Sequence, residues 1–101
     1  MDPRIAAENG DLKTLKRIVR SDPTELHHAD ENGWRPLHVA VMQGHVEAVQ
    51  VILSTGGDIN QVAGTGAEAD VSPLDIAHHF LGNDHEMTKF LRENGAIHVL
   101  P

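Results

Sequence analysis
A chain of 101 residues is the length of one domain with a modest core, and its complete lack of cysteine excludes a disulfide framework, thiolate metal ligation and cysteine nucleophiles. The formal net charge of -7 argues against a nucleic-acid backbone or an anionic membrane as principal partner, because both reward clustered Lys and Arg. Only Trp34, Phe80 and Phe90 are aromatic, while Ala, Leu, Val and Ile are plentiful, a composition suited to short helices packed on one another.

The chain opens on Asp2-Pro3, a cap followed by a first-turn proline, which predicts a short helix through Ala6-Ala7 that ends at Gly10. A second helix follows, with Leu12, Leu15, Ile18 and Val19 as its buried stripe. Lys13, Lys16, Arg17 and Arg20 fall mostly on one other face of it and read as a solvated outer surface. After the turn Asp30-Glu31-Asn32-Gly33 the series returns: Pro36 starts a helix through Ala40-Val41, Gly44 breaks it, and Val46, Val49, Ile52 and Leu53 stripe the next helix as far as Gly57. It returns once more beyond the Gly-rich run from Ala63 to Ala69, with Pro73, Ala77-His78, Gly82, then Met87, Phe90, Leu91 and Gly95.

The offset is 34 residues from Ala6 to Ala40 and from Gly10 to Gly44, then 37 to 38 in the last copy. Helices this short are marginal alone, and stacking three pairs supplies the missing burial. The predicted fold class is therefore all-α: a solenoid of three stacked helix-turn-helix repeats with projecting hairpin loops. Between Arg35 and Lys89 no Lys or Arg occurs, so the second and third repeats form an acidic body. With no cysteine, no charged-then-apolar leader and no long apolar run, a soluble protein of the cytoplasm or nucleus is expected.

At Pro36-Leu37-His38-Val39-Ala40, Gly44-His45 and Gly57-Asp58-Ile59-Asn60 the sequence resembles the ankyrin-repeat family. The resemblance divides a single domain, 1–101, into an N-terminal capping repeat over 1–29, a full repeat over 30–62 and a divergent C-terminal repeat over 63–98. In the family a Thr-Pro-Leu-His motif ties the turn to the neighbouring repeat. Here Arg35 stands in the Thr position, and in the third copy Ser72 keeps a hydroxyl while Asp75 replaces the His.

The resemblance implies a protein-interaction scaffold, expected to be a monomer, with another protein as partner and no catalytic residue, cofactor or metal. The partner would be taken on the hairpin tips and the concave face of the first helices. Carried over position by position, the contacts are Glu8 and Asn9 in the first repeat, Glu31, Asn32, Trp34, Met42 and Gln43 in the second, and His79 with Phe80 in the third. Trp34 is the foremost of these, the alternative being that it packs on the adjacent hairpin or on Arg35. Asn60 matches an Asn that is hydroxylated in some family members, or else holds its hairpin through the side-chain amide. Two other functional readings stay open: a non-catalytic targeting or regulatory domain of a larger enzyme, such as an oxygenase or kinase, and a spacer or oligomerisation unit.

Eight histidines raise the question of a metal. His38 and His45 match family positions with structural hydrogen-bonding roles, and the adjacent His78 and His79 point to different helix faces. His78 and His85 could meet across the inter-helix turn, but no metal site is assigned. A modest pH sensitivity near about 6 is expected instead. No Ser-His-Asp set or carboxylate pair stands at informative spacing, and Gly64-Thr65-Gly66 lacks the Lys of a phosphate loop.

Overall fold
The computed structural model describes residues 2–64 and 70–99, so most of the Gly-rich run from Ala63 to Ala69 lies outside the described residues. Six α-helices follow in pairs: α1 Pro3–Asn9 and α2 Leu12–Ser21, α3 Pro36–Met42 and α4 Val46–Leu53, α5 Pro73–Leu81 and α6 Glu86–Glu93. A 3-10 turn, Pro23–His27, closes the first repeat and inserts Leu26 into the core.

Local chemistry explains where each helix begins and ends. Proline occupies the first turn of α1, α3 and α5, where its missing N–H leaves no acceptor unpaired. Asp2 accepts from the Arg4 N–H at the start of α1. Asp11 caps α2 by accepting from both the N–H and the hydroxyl of Thr14, bonds that hold its carboxyl below the usual range. Gly10, Gly44 and Gly82, predicted as chain-reversing residues, have φ of 64°, 77° and 92°. After α4 the glycine of positive φ is Gly56, φ 94°, and after α6 it is Gly95, φ 90°.

The first helices stack side by side in the order α1, α3, α5, and the second helices stack behind them in the order α2, α4, α6. Ala6, Ala40 and Ala77 occupy the same place in the three first helices, each at most 1% exposed, and their small side chains let the backbones approach. Leu15, Val49, Ile52, Met87 and Leu91 fill the layer between the two rows. Among the described residues the β structure is one antiparallel bridge, Ala63 to Val71, at the base of the third hairpin.

Histidines stitch the repeats together. His45 donates Nε2–H to the Glu8 carbonyl at 2.9 Å, across the first interface. Its ring lies so close under Gly10 that a Cβ there would come within 2.9 Å of Nδ1. The same stacking recurs one repeat later, where a Cβ on Gly44 would come within 3.1 Å of the His85 ring. The contacts of His85 and His78 are with other partners than the one spacing allowed for them. His85 accepts the Met87 N–H at 3.0 Å and caps α6, while His78 stands edge-on to His98 with ring centroids 5.6 Å apart. His27 Nε2 meets the Thr55 hydroxyl at 2.6 Å; Thr55 gives its own proton to the Ile52 carbonyl, so His27 is the donor.

The buried ring is His38. Nδ1 accepts the Arg35 N–H at 2.9 Å, and Nε2–H donates to the Gln61 carbonyl at 2.6 Å, tying the start of α3 to the end of the second repeat, just before the third begins. The Arg35 replacement thus leaves this half of the motif intact, because the imidazole is held by a backbone N–H; the Arg35 side chain turns away and donates to the His27 carbonyl. Burial holds the His38 pKa below its ordinary 6.5; the Gln61 carbonyl pulls the other way, Arg35 adds to the lowering and Asp30 opposes it.

The third repeat makes the same join with different chemistry. Asp75 accepts from the Ser72 N–H at 2.9 Å, the Val99 N–H at 3.0 Å and His98 Nδ1 at 2.8 Å. Ser72 Oγ accepts from the Asp75 N–H and donates to the Ile97 carbonyl at 2.8 Å. The tail is thereby pinned along the start of α5.

Two predictions follow from these joins. Because His38 binds its proton less readily folded than unfolded, its contribution is complete above about pH 6.5 and lost as pH falls below that value toward the depressed folded pKa. Urea unfolding between about pH 8 and pH 5 will show stability falling on the acid side. His38→Ala will flatten that slope and cost about 2–3 kcal/mol at neutral pH, since it orphans the Arg35 N–H and the Gln61 carbonyl. Asp75→Ala will cost about 2 kcal/mol and free the Val99 amide to exchange hydrogen, with the amides of α1 and α3 unchanged.

Candidate partner-binding surface
The fingertip of the second repeat is built around Asp30. Its Oδ1 accepts from the N–H groups of Asn32 and Trp34 at 2.8 and 2.9 Å, its backbone N–H bonds the Trp34 carbonyl, and its Oδ2 pairs with Arg4 at 3.1 Å. Burial raises the Asp30 pKa, but the Trp34 and Asn32 N–H groups and Arg4 outweigh it, leaving the carboxyl below its usual value. An anchored turn of this kind leaves Glu31 and Asn32 at its apex, and both are exposed.

Trp34 follows the turn with its backbone clamped at both N–H and carbonyl by Asp30. Its indole is half-buried, packs against the core and meets His38 edge-on, with centroids 5.8 Å apart at 74°. One edge of the ring thus belongs to the fold and the rest faces outward.

The other predicted positions lie at the C-terminal ends of the first helices. Glu8 and Asn9 end α1, Met42 ends α3 with Gln43 as its cap, and His79 is near the end of α5. Stacking of α1 on α3 and of α3 on α5 sets these ends in one row. Glu8, Asn9, Gln43 and His79 are exposed, whereas Met42 is half-buried against the core. His79 meets Phe80 edge-on at 4.8 Å, and Phe80 is 55% exposed, the largest apolar ring the third repeat offers to solvent. Trp34 and Gln43 lie at opposite ends of α3, so seven residues of helix, about 10 Å, separate fingertip from helix ends. The structure thus sets the candidates in two groups, at the fingertip and at the helix ends, rather than in one cluster.

Asn60 is occupied between repeats. Its Oδ1 accepts the Ile97 N–H at 2.9 Å and its Nδ2 donates to the Gly95 carbonyl at 3.3 Å. Among the described residues no three His, Asp or Glu side chains gather as metal ligands. No described helix is long and apolar enough to cross a membrane.

Comparison with known proteins agrees with this geometry. The family profile described as ankyrin repeats in three copies matches residues 4–100. An ankyrin repeat-containing protein of Schizosaccharomyces pombe is 33% identical over 96 residues, 92% of this chain and 45% of its own length. Ankyrin repeat domain-containing protein 49 of Homo sapiens is 35% identical over 57 residues, 56% of this chain and 24% of its own. A serine/threonine-protein kinase of Arabidopsis thaliana is 33% identical over 54 residues, 54% of this chain and 12% of its own. The chain thus spans less than half the length of these relatives. Three stacked helix pairs and a profile match along nearly the whole sequence place the chain in the ankyrin-repeat family.

Proposed function
We propose that this chain is a protein-interaction scaffold that takes a partner protein across the surface between the second-repeat fingertip and the ends of the first helices. Ankyrin repeats are generally protein-interaction modules. The observation that carries the specific reading is the exposure of Glu8, Asn9, Glu31, Asn32, Gln43 and His79 on helices and turns whose own bodies are buried and hydrogen-bonded. Rigid supports with free polar side chains, flanked by the half-buried Trp34 and Met42, are what a protein interface requires. The reading treats residues 1–101 as one domain with units at 1–29, 30–62 and 63–98, and gives none of them a catalytic, cofactor or metal role. The two amide bonds of Asn60 support a structural role for it rather than hydroxylation. The lack of cysteine suits the reducing cytoplasm or nucleus.

A second reading is favoured by the kinase relative: this chain as the non-catalytic targeting part of a larger enzyme. It requires the same surface and differs only in what the surface is joined to.

The test is affinity capture with the wild type beside Trp34→Ala and Gln43→Ala, with circular dichroism on each. Both variants will stay helical, and a protein retained by the wild type will be lost from Trp34→Ala, corresponding to more than about 1 kcal/mol of binding. An unchanged set of captured proteins in both variants would remove the groove reading.

A further inference from the structure
Half of the chain's eight Lys and Arg lie within the ten residues of α2. Lys13, Lys16, Arg17 and Arg20 stand at i, i+3, i+4 and i+7, a spacing that aligns them in one stripe along the helix, and all four are exposed. The stripe lies opposite the buried Thr14, Leu15 and Ile18, on the side of the stack away from the first helices.

Two features separate this stripe from an ordinary solvated face. Although the chain carries fifteen acidic residues, none forms an ion pair with any of the four cations among the described residues. The carboxylates at the two ends of α2, Asp11 and Asp22, are bonded to Thr14 and Thr24. Lys13 with Arg17, and Lys16 with Arg20, are like charges four residues apart, which weakens a helix, and Lys13 sits in the first turn, where the helix dipole disfavours a cation. Together with Thr14, Arg17 and Lys13 help to hold the Asp11 carboxyl below its usual range, and Arg20 suits the last turn, but the mutual repulsion of the four cations remains.

Beside the stripe runs a shallow cleft of about 430 Å³ between α2 and α4, lined by Leu12, Lys16, Glu47, Gln50, Val51 and Ser54. Leu12 and Val51 are half-buried and give it an apolar floor.

We propose that the α2 stripe and the Leu12–Val51 cleft form a second docking surface, which takes a short acidic segment of a partner protein carrying an apolar side chain. Charge complementarity selects the sign of the partner, and the remainder of the molecule selects its size. Fifteen acids against four other bases make the rest of the chain repel an extended anion. A vesicle surface or a nucleic-acid duplex would reach past the stripe onto that acidic body. A segment of about ten residues, the length of α2, meets the four cations with Glu47 of the cleft and Asp11 and Asp22 at the helix ends, a local balance that stays positive, since charges beyond about 8 Å are largely screened at physiological salt.

Fluorescence anisotropy tests this with the full chain and a labelled helical peptide bearing four Glu at the spacing of the stripe and one Leu, beside the same peptide with Gln for Glu. The wild type will bind the Glu peptide more tightly than the Gln peptide. Lys16→Glu combined with Arg17→Glu will weaken the Glu peptide by more than about tenfold, as will raising salt from about 0.05 to about 0.5 M. Lys16→Arg will bind as the wild type does, and Trp34→Ala will leave the affinity unchanged, so this surface can fail while the groove stands, or the reverse. The doubly reversed chain will also unfold at a higher temperature, because like-charge repulsion along α2 is relieved. Equal affinity for the two peptides, indifference to charge reversal, or loss of the Glu peptide on Trp34→Ala would overturn the proposal. So would tighter binding of phosphatidylserine vesicles or duplex DNA at matched charge, or a concentration-dependent self-association that the charge reversal abolishes.

Discussion

The stack depends on one buried imidazole. His38 is fully enclosed, and a ring so placed is tolerated only if both nitrogens are bonded, one as acceptor and one as donor. That requirement fixes its tautomer and its neutrality. It also fixes geometry: accepting from Arg35 sets the start of α3, and donating to Gln61 sets where the second repeat ends. The fingertip follows, because Trp34 immediately precedes Arg35 and rests its ring edge on the same imidazole. Packing of alanines between the first helices supplies adhesion without direction, and the imidazole supplies the direction.

The surface that results is hydrogen-bonded where it is supported and open to solvent where it is exposed. Asp30 commits both carboxylate oxygens to holding the turn and Arg4, so the apex residues carry no structural duty. At the helix ends, the Glu8 carbonyl is taken by His45 while the Glu8 side chain is left to solvent. Backbone and side chain of one residue thus serve two purposes, and substitutions on the outward side leave the frame unaltered. Such separation lets one fold serve many partners.

The fold was legible in the sequence because its determinants are local. Proline at each first turn, glycine at each reversal and aliphatics at helical spacing identify six helices without reference to any distant contact. The choice of Gly56 over Gly57 was not legible, since either glycine suits the turn and only the backbone path distinguishes them. Nor were the ties made by Asp75, which join it to His98 and Val99 more than twenty residues away. The role of His85 was hidden for the same reason: its ring is positioned by Gly44 of the preceding repeat. Candidate contact positions could be named from the repeat register, but the shared duty of Trp34, part fold and part surface, is visible only once His38 lies beneath it.

The exchange of His for Asp between the second and third repeats changes the grammar of the joint. A joint made by His38 gives a proton to a carbonyl, and any length of ordinary backbone can receive it. A joint made by Asp75 can only receive, so the strand laid across it must bring donors in register, as Val99 and His98 do. A strand shifted by one residue would present a carbonyl there, setting lone pair against lone pair. The carboxylate therefore acts as a key that admits the chain in one register, and the alignment of the final segment is chosen by hydrogen-bond polarity rather than by hydrophobic fit.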